Sequence, residues 1–212
     1  VQNYIGLVTL DNSIIYDYIN IKNINTTSTN NSILGGTCGW IATSYFSGAT
    51  ECIIQNCNNS ANIQPFTAGI CGSNAGFSGI CNINNCSNSS NITDVSGGIT
   101  NRSTGYYGLC NITNCSNTGN VIGVGSGGIT ADYSGEGGVC NINNCSNSGN
   151  IIGEEAGGIT SSRTGYSGVC NINNCYNSGE IIGVNAGGIT SKTTGYYGEC
   201  NINNCYNSGN II

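Results

Sequence analysis

Residues 140–169 read CNINNCSNSGNIIGEEAGGITSSRTGYSGV, and residues 170–199 repeat them as CNINNCYNSGEIIGVNAGGITSKTTGYYGE. Equivalent copies begin at Cys110 and Cys200. Each full copy passes through a Gly-Gly-Ile-Thr step (Gly127 to Thr130, Gly157 to Thr160, Gly187 to Thr190) and a Gly/Tyr-rich turn before the next cysteine. A period of 29 or 30 residues means stacked supersecondary units, each contacting only its neighbours. Working outward, Cys81/Cys86 and Cys52/Cys57 are the same pair in earlier copies. One step further back, Ile19 and Ile24 fall on the two cysteine positions, where an apolar, strand-favouring residue implies a core-facing site. The repeat therefore spans residues 19–212 as one domain, with residues 1–18, more apolar and less regular, expected as an N-terminal cap.

Helix is a poor fit to these copies. Glycine accounts for 34 of 212 residues, and no copy has apolar residues spaced by three and four in a glycine-free window. Each copy instead offers three short β-type runs: Cys-Asn-Ile (Cys200 to Ile202), Ile-Ile (Ile151-Ile152) and Gly-Ile-Thr (Gly158 to Thr160). Asn-Asn, Asn-Ser-Gly and Thr-Gly-Tyr segments supply the corners, because Asn and Gly tolerate left-handed backbone. The expected fold is all-β: a parallel β-solenoid of about seven coils, stacked about 4.8 Å apart, with cysteine ladders between coils.

Gly187 to Ile189, followed by Asn204 to Gly209, resembles the GLUG-type repeat of large bacterial surface proteins, including regions attached to IgA-specific metallopeptidases. The resemblance covers about residues 19–212 and implies a surface β-solenoid module. It carries no peptidase activity, since a chain without histidine cannot hold a His-Glu-x-x-His motif. Cys205 matches the family's Asn-Cys step, whereas Cys200 departs from it.

Fourteen cysteines sort into three columns. Cys52, Cys81, Cys110, Cys140, Cys170 and Cys200 form the first, and Cys57, Cys86, Cys115, Cys145, Cys175 and Cys205 the second. Cys38 and Cys71 share the position that later copies fill with Thr. Stacked residues lie about 4.8 Å apart, inside the roughly 4.4–6.8 Å Cα window of a disulfide. The two cysteines within one copy span about 16 Å if extended. Inter-coil disulfides are therefore expected, Cys38–Cys71 first among them, each worth roughly 3–4 kcal/mol by loop closure. The alternative is a ladder of reduced thiols packed as small apolar groups. Disulfides would place the chain outside a reducing compartment: a cell exterior, a virion surface or a periplasm. Metal binding is not expected, since six identical pairs would need a row of sites with no histidine.

Composition narrows function further. The formal net charge is −6, and Lys22, Arg102, Arg163 and Lys192 are scattered, which excludes a nucleic-acid grip. No stretch is long and apolar enough to insert in a membrane. Asp94, Glu154 and Glu155 come nearest to an acidic cluster, but Asp94 lies in a different coil from the Glu154-Glu155 pair, so no catalytic residue, cofactor or enzymatic activity is expected. Asn25, Asn58, Asn91, Asn101 and Asn111 head glycosylation sequons.

Two ladders are left as contact surfaces. Phe77, Tyr106, Tyr166 and Tyr196 hold equivalent turn positions, interrupted by Glu136, and such rows receive sugars or partner molecules. Thr100, Thr130, Thr160 and Thr190 form a column that raises an ice-binding reading. The last copy stops at Ile212 straight after a strand, an edge that invites another chain to add on. The leading expectation is a structural subunit of an extracellular or virion-surface fibre or sheath, self-assembling head-to-tail. The alternative is a monomeric adhesin or glycan-binding stalk.

Overall fold

Alternation dictates the longest strand of every rung. In Val139–Asn143, Cys140 and Ile142 are buried, while Val139, Asn141 and Asn143 face outward, half-buried. The computed structural model describes residues 3–9, 18–28, 32–47 and 51–212. Among them, seven such strands form one parallel sheet: Tyr18–Lys22, Glu51–Gln55, Ile80–Asn84, Leu109–Thr113, Val139–Asn143, Val169–Asn173 and Glu199–Asn203. The register places like on like, with Cys140 opposite both Cys110 and Cys170. Ile19 pairs with Cys52, as the cysteine-free copy requires. The chain is thus a parallel β-solenoid in which six turns separate the first strand of this sheet from the seventh.

An asparagine turns the corner after each long strand. Asn23, Asn56, Asn85, Asn114, Asn144, Asn174 and Asn204 are all left-handed, with φ between 52 and 61. Asn accepts this conformation more cheaply than most residues because its side chain bonds locally. The next segment corrects the sequence-based expectation: the Asn-Ser-Gly stretch is not only a corner. It carries a second seven-stranded parallel sheet, with strands such as Ser116–Asn117, Ser146–Asn147 and Tyr176–Asn177. The reason lies inside. Asn147 is fully buried, and its Nδ2 donates to Asn177 Oδ1 at 2.6 Å and to the Gly149 carbonyl at 2.7 Å. Its Oδ1 accepts from Asn117 Nδ2 at 2.7 Å. A buried amide costs free energy unless paired, and here every rung pairs the next.

A second asparagine ladder runs up the outer face of the long strands. Asn111 donates to Asn82 at 2.8 Å, Asn141 to Asn111 at 2.9 Å and Asn171 to Asn141 at 2.8 Å. Its donors point toward the N-terminal rungs. The buried ladder's donors point the opposite way, from Asn59 through Asn88, Asn117 and Asn147 to Asn177.

The core is columnar. One cluster combines Ile54, Ile83, Ile112, Ile142 and Ile172 with Ile41, Ile70, Ile99, Ile129 and Ile159 and most of the cysteines. A smaller one stacks Ile63, Ile92, Val121, Ile151 and Ile181. The Gly-Gly step lets the backbone pass close to the next rung. A Cβ on Gly128 would stand 2.1 Å from the Gly158 carbonyl oxygen and 2.9 Å from Asn147 Oδ1.

At the N-terminal end, Asn3–Tyr4 pairs in parallel with Ile33–Leu34, and Val8 bridges Ala42. These residues of the expected cap therefore continue the stack as part of a coil. Residues 1–2 and 10–17, which include Asp11 and Asp17, lie outside the described residues.

Candidate functional site

The structure stacks the two long cysteine columns in register as expected, with no disulfide formed between them. The two columns differ in how their sulfurs are held. In the second column each thiol is tied into the backbone. Cys86 Sγ donates to the Asn84 carbonyl at 3.3 Å, while the Cys86 N–H donates to Cys115 Sγ at 3.4 Å. The same link joins Cys115 to Cys145, Cys145 to Cys175 and Cys175 to Cys205. Burial pushes the Cys115 thiol well above its ordinary range, helped by the neighbouring thiols of Cys145 and Cys86. In the first column Cys52, Cys81, Cys110, Cys140 and Cys170 are fully buried, with the Cys81 thiol against Cys110 and the Cys170 thiol against Cys140 and Cys200.

Cys38 does not stack on Cys71. Ala42 does, and Cys71 continues into Thr100, Thr130 and Thr160. The cause is a local insertion. Asn25 pairs with Asn58, 33 positions on, but Gly39 pairs with Ala68, 29 positions on, so four extra residues fall between Asn25 and Gly39. Cys38 instead packs with Leu34, Trp40 and Ala61, its sulfur 3.6 Å from Thr43 Oγ1. The Cys71 thiol lies within hydrogen-bonding reach of Cys81.

The threonine column is also corrected. Thr100, Thr130 and Thr160 are fully buried, and Thr100 and Thr160 bond the hydroxyls of Thr104 and Thr164 at 2.7 and 2.8 Å. A ladder facing the core cannot meet ice. Asn101, one of the sequon residues, is buried as well, its amide donating to the Phe66 carbonyl. Of the acids, Asp94 accepts from the Val124 N–H and Glu155 pairs with Lys192, which leaves them apart from one another. Among the described residues, no group of three or more His, Cys, Asp or Glu is placed to hold a metal.

The aromatic row survives in two pieces. Phe77 and Tyr106 stack at 5.7 Å, and Tyr166 and Tyr196 at 5.8 Å. Tyr45 closes edge-on against Phe77 at 5.2 Å, a member that sequence spacing missed because its copy is the irregular one. Where the row breaks, Glu136 accepts from the Ser103 hydroxyl at 2.7 Å. Arg102 pairs with Asp132 at 3.4 Å, and its guanidinium stands 5.4 Å from the Tyr133 ring centre, with Arg163 at 5.1 Å. Burial lifts Asp132 to about 6, against the pull of Arg102 and Arg163.

A cleft of ≈ 270 Å³ opens at this break, lined by Tyr45, Ser73, Asn74, Arg102, Tyr106 and Glu136. Ser73 is 2% exposed, and its hydroxyl has no hydrogen-bond partner among the described residues. The left-handed turn residues Tyr45, Asn74 and Ser103, with φ of 56, 59 and 53, shape the cleft's wall in successive rungs. The chain matches no family model, no curated protein and no solved structure.

Proposed function

We propose that the protein is a rod-forming structural subunit of a fibre, sheath or coat at a cell or virion surface, extended head-to-tail by further copies. The observation that carries this is the opposed direction of the two asparagine ladders. The C-terminal side of a regular rung offers side-chain carbonyl oxygens outside and amide N–H groups inside, and its N-terminal side offers the complement; toward the N-terminus the outer ladder ends with Asn82 on Glu51 and the inner one with the Thr26 hydroxyl on Asn59. Two like sides of regular rungs would face donor against donor. Two unlike sides satisfy both ladders and the parallel strand register at once. Such a heterologous contact propagates as an open filament when its rotation does not close a ring.

The first cysteine column adds a way to harden the rod. In-register neighbours such as Cys110 and Cys140 stand about 4.8 Å apart at Cα, within reach of a disulfide in an oxidising compartment. The second column is the poorer candidate because its sulfurs already bond the backbone.

Negative-stain microscopy and sedimentation velocity on the 212-residue protein test the proposal. Linear particles whose mass grows with concentration are expected. Single, monodisperse monomers at the highest soluble concentration would overturn it.

A further inference from the structure

We propose that the cleft beside Tyr106 binds one neutral sugar residue of a glycan. It lies on the flank of the rod, across successive rungs of one molecule, and does not depend on assembly. Three features define what it takes. The first is an aromatic wall: Tyr106, with Phe77 stacked on it at 5.7 Å, Tyr107 tilted against it at 4.3 Å and Tyr45 edge-on to Phe77, offers apolar ring surface to the C–H side of a pyranose. Such stacking combines apolar burial with attraction to the negative ring face.

The second is a convergent polar set on the opposite side. Glu136 offers its carboxylate, Arg102 its guanidinium and Asn74 its amide. Ser73 lines the same space, and its buried hydroxyl has no partner. A buried hydroxyl left unpaired costs about 1–3 kcal/mol, which a ligand hydroxyl would recover. Vicinal sugar hydroxyls match this mixture of donors and acceptors, whereas a purely apolar ligand would leave it unpaired.

The third is charge and size. Arg102 is already neutralised by Asp132, so Glu136 sets the sign of the cleft. A uronate or a sulfated sugar would meet a like charge. A volume of ≈ 270 Å³ is at the small end for ligand sites and suits a single ring rather than an enclosed oligomer. In the rungs further along, Tyr166 and Tyr196 close directly on one another, and the equivalent of Glu136 is a second ring. The proposed site is therefore built once, at the break in the row.

Saturation-transfer NMR and calorimetry on the 212-residue protein, with a panel of methyl hexopyranosides, N-acetylhexosamines and the matching uronates, test it. At least one neutral glycoside is expected to bind, with uronates weaker. Tyr106→Ala and Glu136→Gln should each weaken binding about ten-fold or more, and Tyr197→Ala should leave it unchanged. Ser73→Ala, a smaller change, should weaken it even if Tyr106→Ala disturbs the turn. No binding by any neutral glycoside, equal binding by Glu136→Gln and Ser73→Ala, or a preference for uronates would each overturn the proposal. Sedimentation of Glu136→Gln should match that of the parent, which separates this outcome from the fate of the rod.

Discussion

Burial raises the Asp132 carboxyl to about 6 although two arginines stand nearby, so folding takes up a proton there as the pH falls. The unfolded carboxyl titrates near 3.9. A folded value above the unfolded one means that the stabilising contribution is complete below about pH 4 and is lost as the pH rises through about 6. Asp132→Asn removes that dependence. Urea unfolding at pH 4 and pH 7.5 should show the parent losing on the order of 2–3 kcal/mol relative to the variant over this interval. Equal pH dependence in the two proteins would refute the assignment. Neither this burial nor the cleft around Tyr106 was legible from residue spacing. The row of Phe77, Tyr106, Tyr166 and Tyr196 was visible as a column, but its polar companions Ser73, Arg102 and Asp132 come from turn positions whose letters vary between copies. Their juxtaposition is set by a turn geometry that no repeated letter announces.

At the scale of the element, the buried asparagine ladder does most to fix the register. Removing the Asn147 amide leaves Asn117 Nδ2 and Asn177 Oδ1 facing an unpaired neighbour in the core. Asn147→Ala should therefore cost about 2–5 kcal/mol. On the outer face, Asn141→Ala leaves partners that water can satisfy, and should cost about 1 kcal/mol or less. Denaturant midpoints decide, and equal losses would mean that the inner ladder holds no special place. Alternation in Val-Cys-Asn-Ile-Asn made the long strand readable in advance, as did the stacking of Cys140 on Cys110 and Cys170. The short strand Ser146–Asn147 was hidden because Asn-Ser-Gly is ordinary turn chemistry, and only an inward-facing, fully paired amide makes it strand. Cys38 was misplaced for a related reason. Its Cys-Gly dipeptide imitates Cys71-Gly72, while the four-residue insertion ahead of Gly39 shifts the true frame.

For the whole molecule, one continuous core with buried cysteines predicts a graded response to thiol reagents. Cys200 and Cys205 are partly exposed, and the cysteines from Cys52 to Cys175 are buried. Maleimide labelling of the native protein, read by mass spectrometry, should modify Cys200 and Cys205 first and the inner cysteines only on unfolding. In assembled material, those two should become protected as well. Fast labelling of Cys110 or Cys140 in the native state would mean that the rungs open far more readily than a close-packed stack permits. The periodic letters carried the architecture at this scale because each rung solves the same packing problem as the one beneath it.

In a head-to-tail rod of the kind proposed, the contrary pointing of the inner and outer side-chain amides would give unlike tips. Subunits arriving at one tip would have to present N–H where those at the other present carbonyl, and the two tips would then grow at unequal rates. A surface that anchors only one kind of tip would then dictate which way every later subunit faces, and elongation would proceed outward from it as one-way construction.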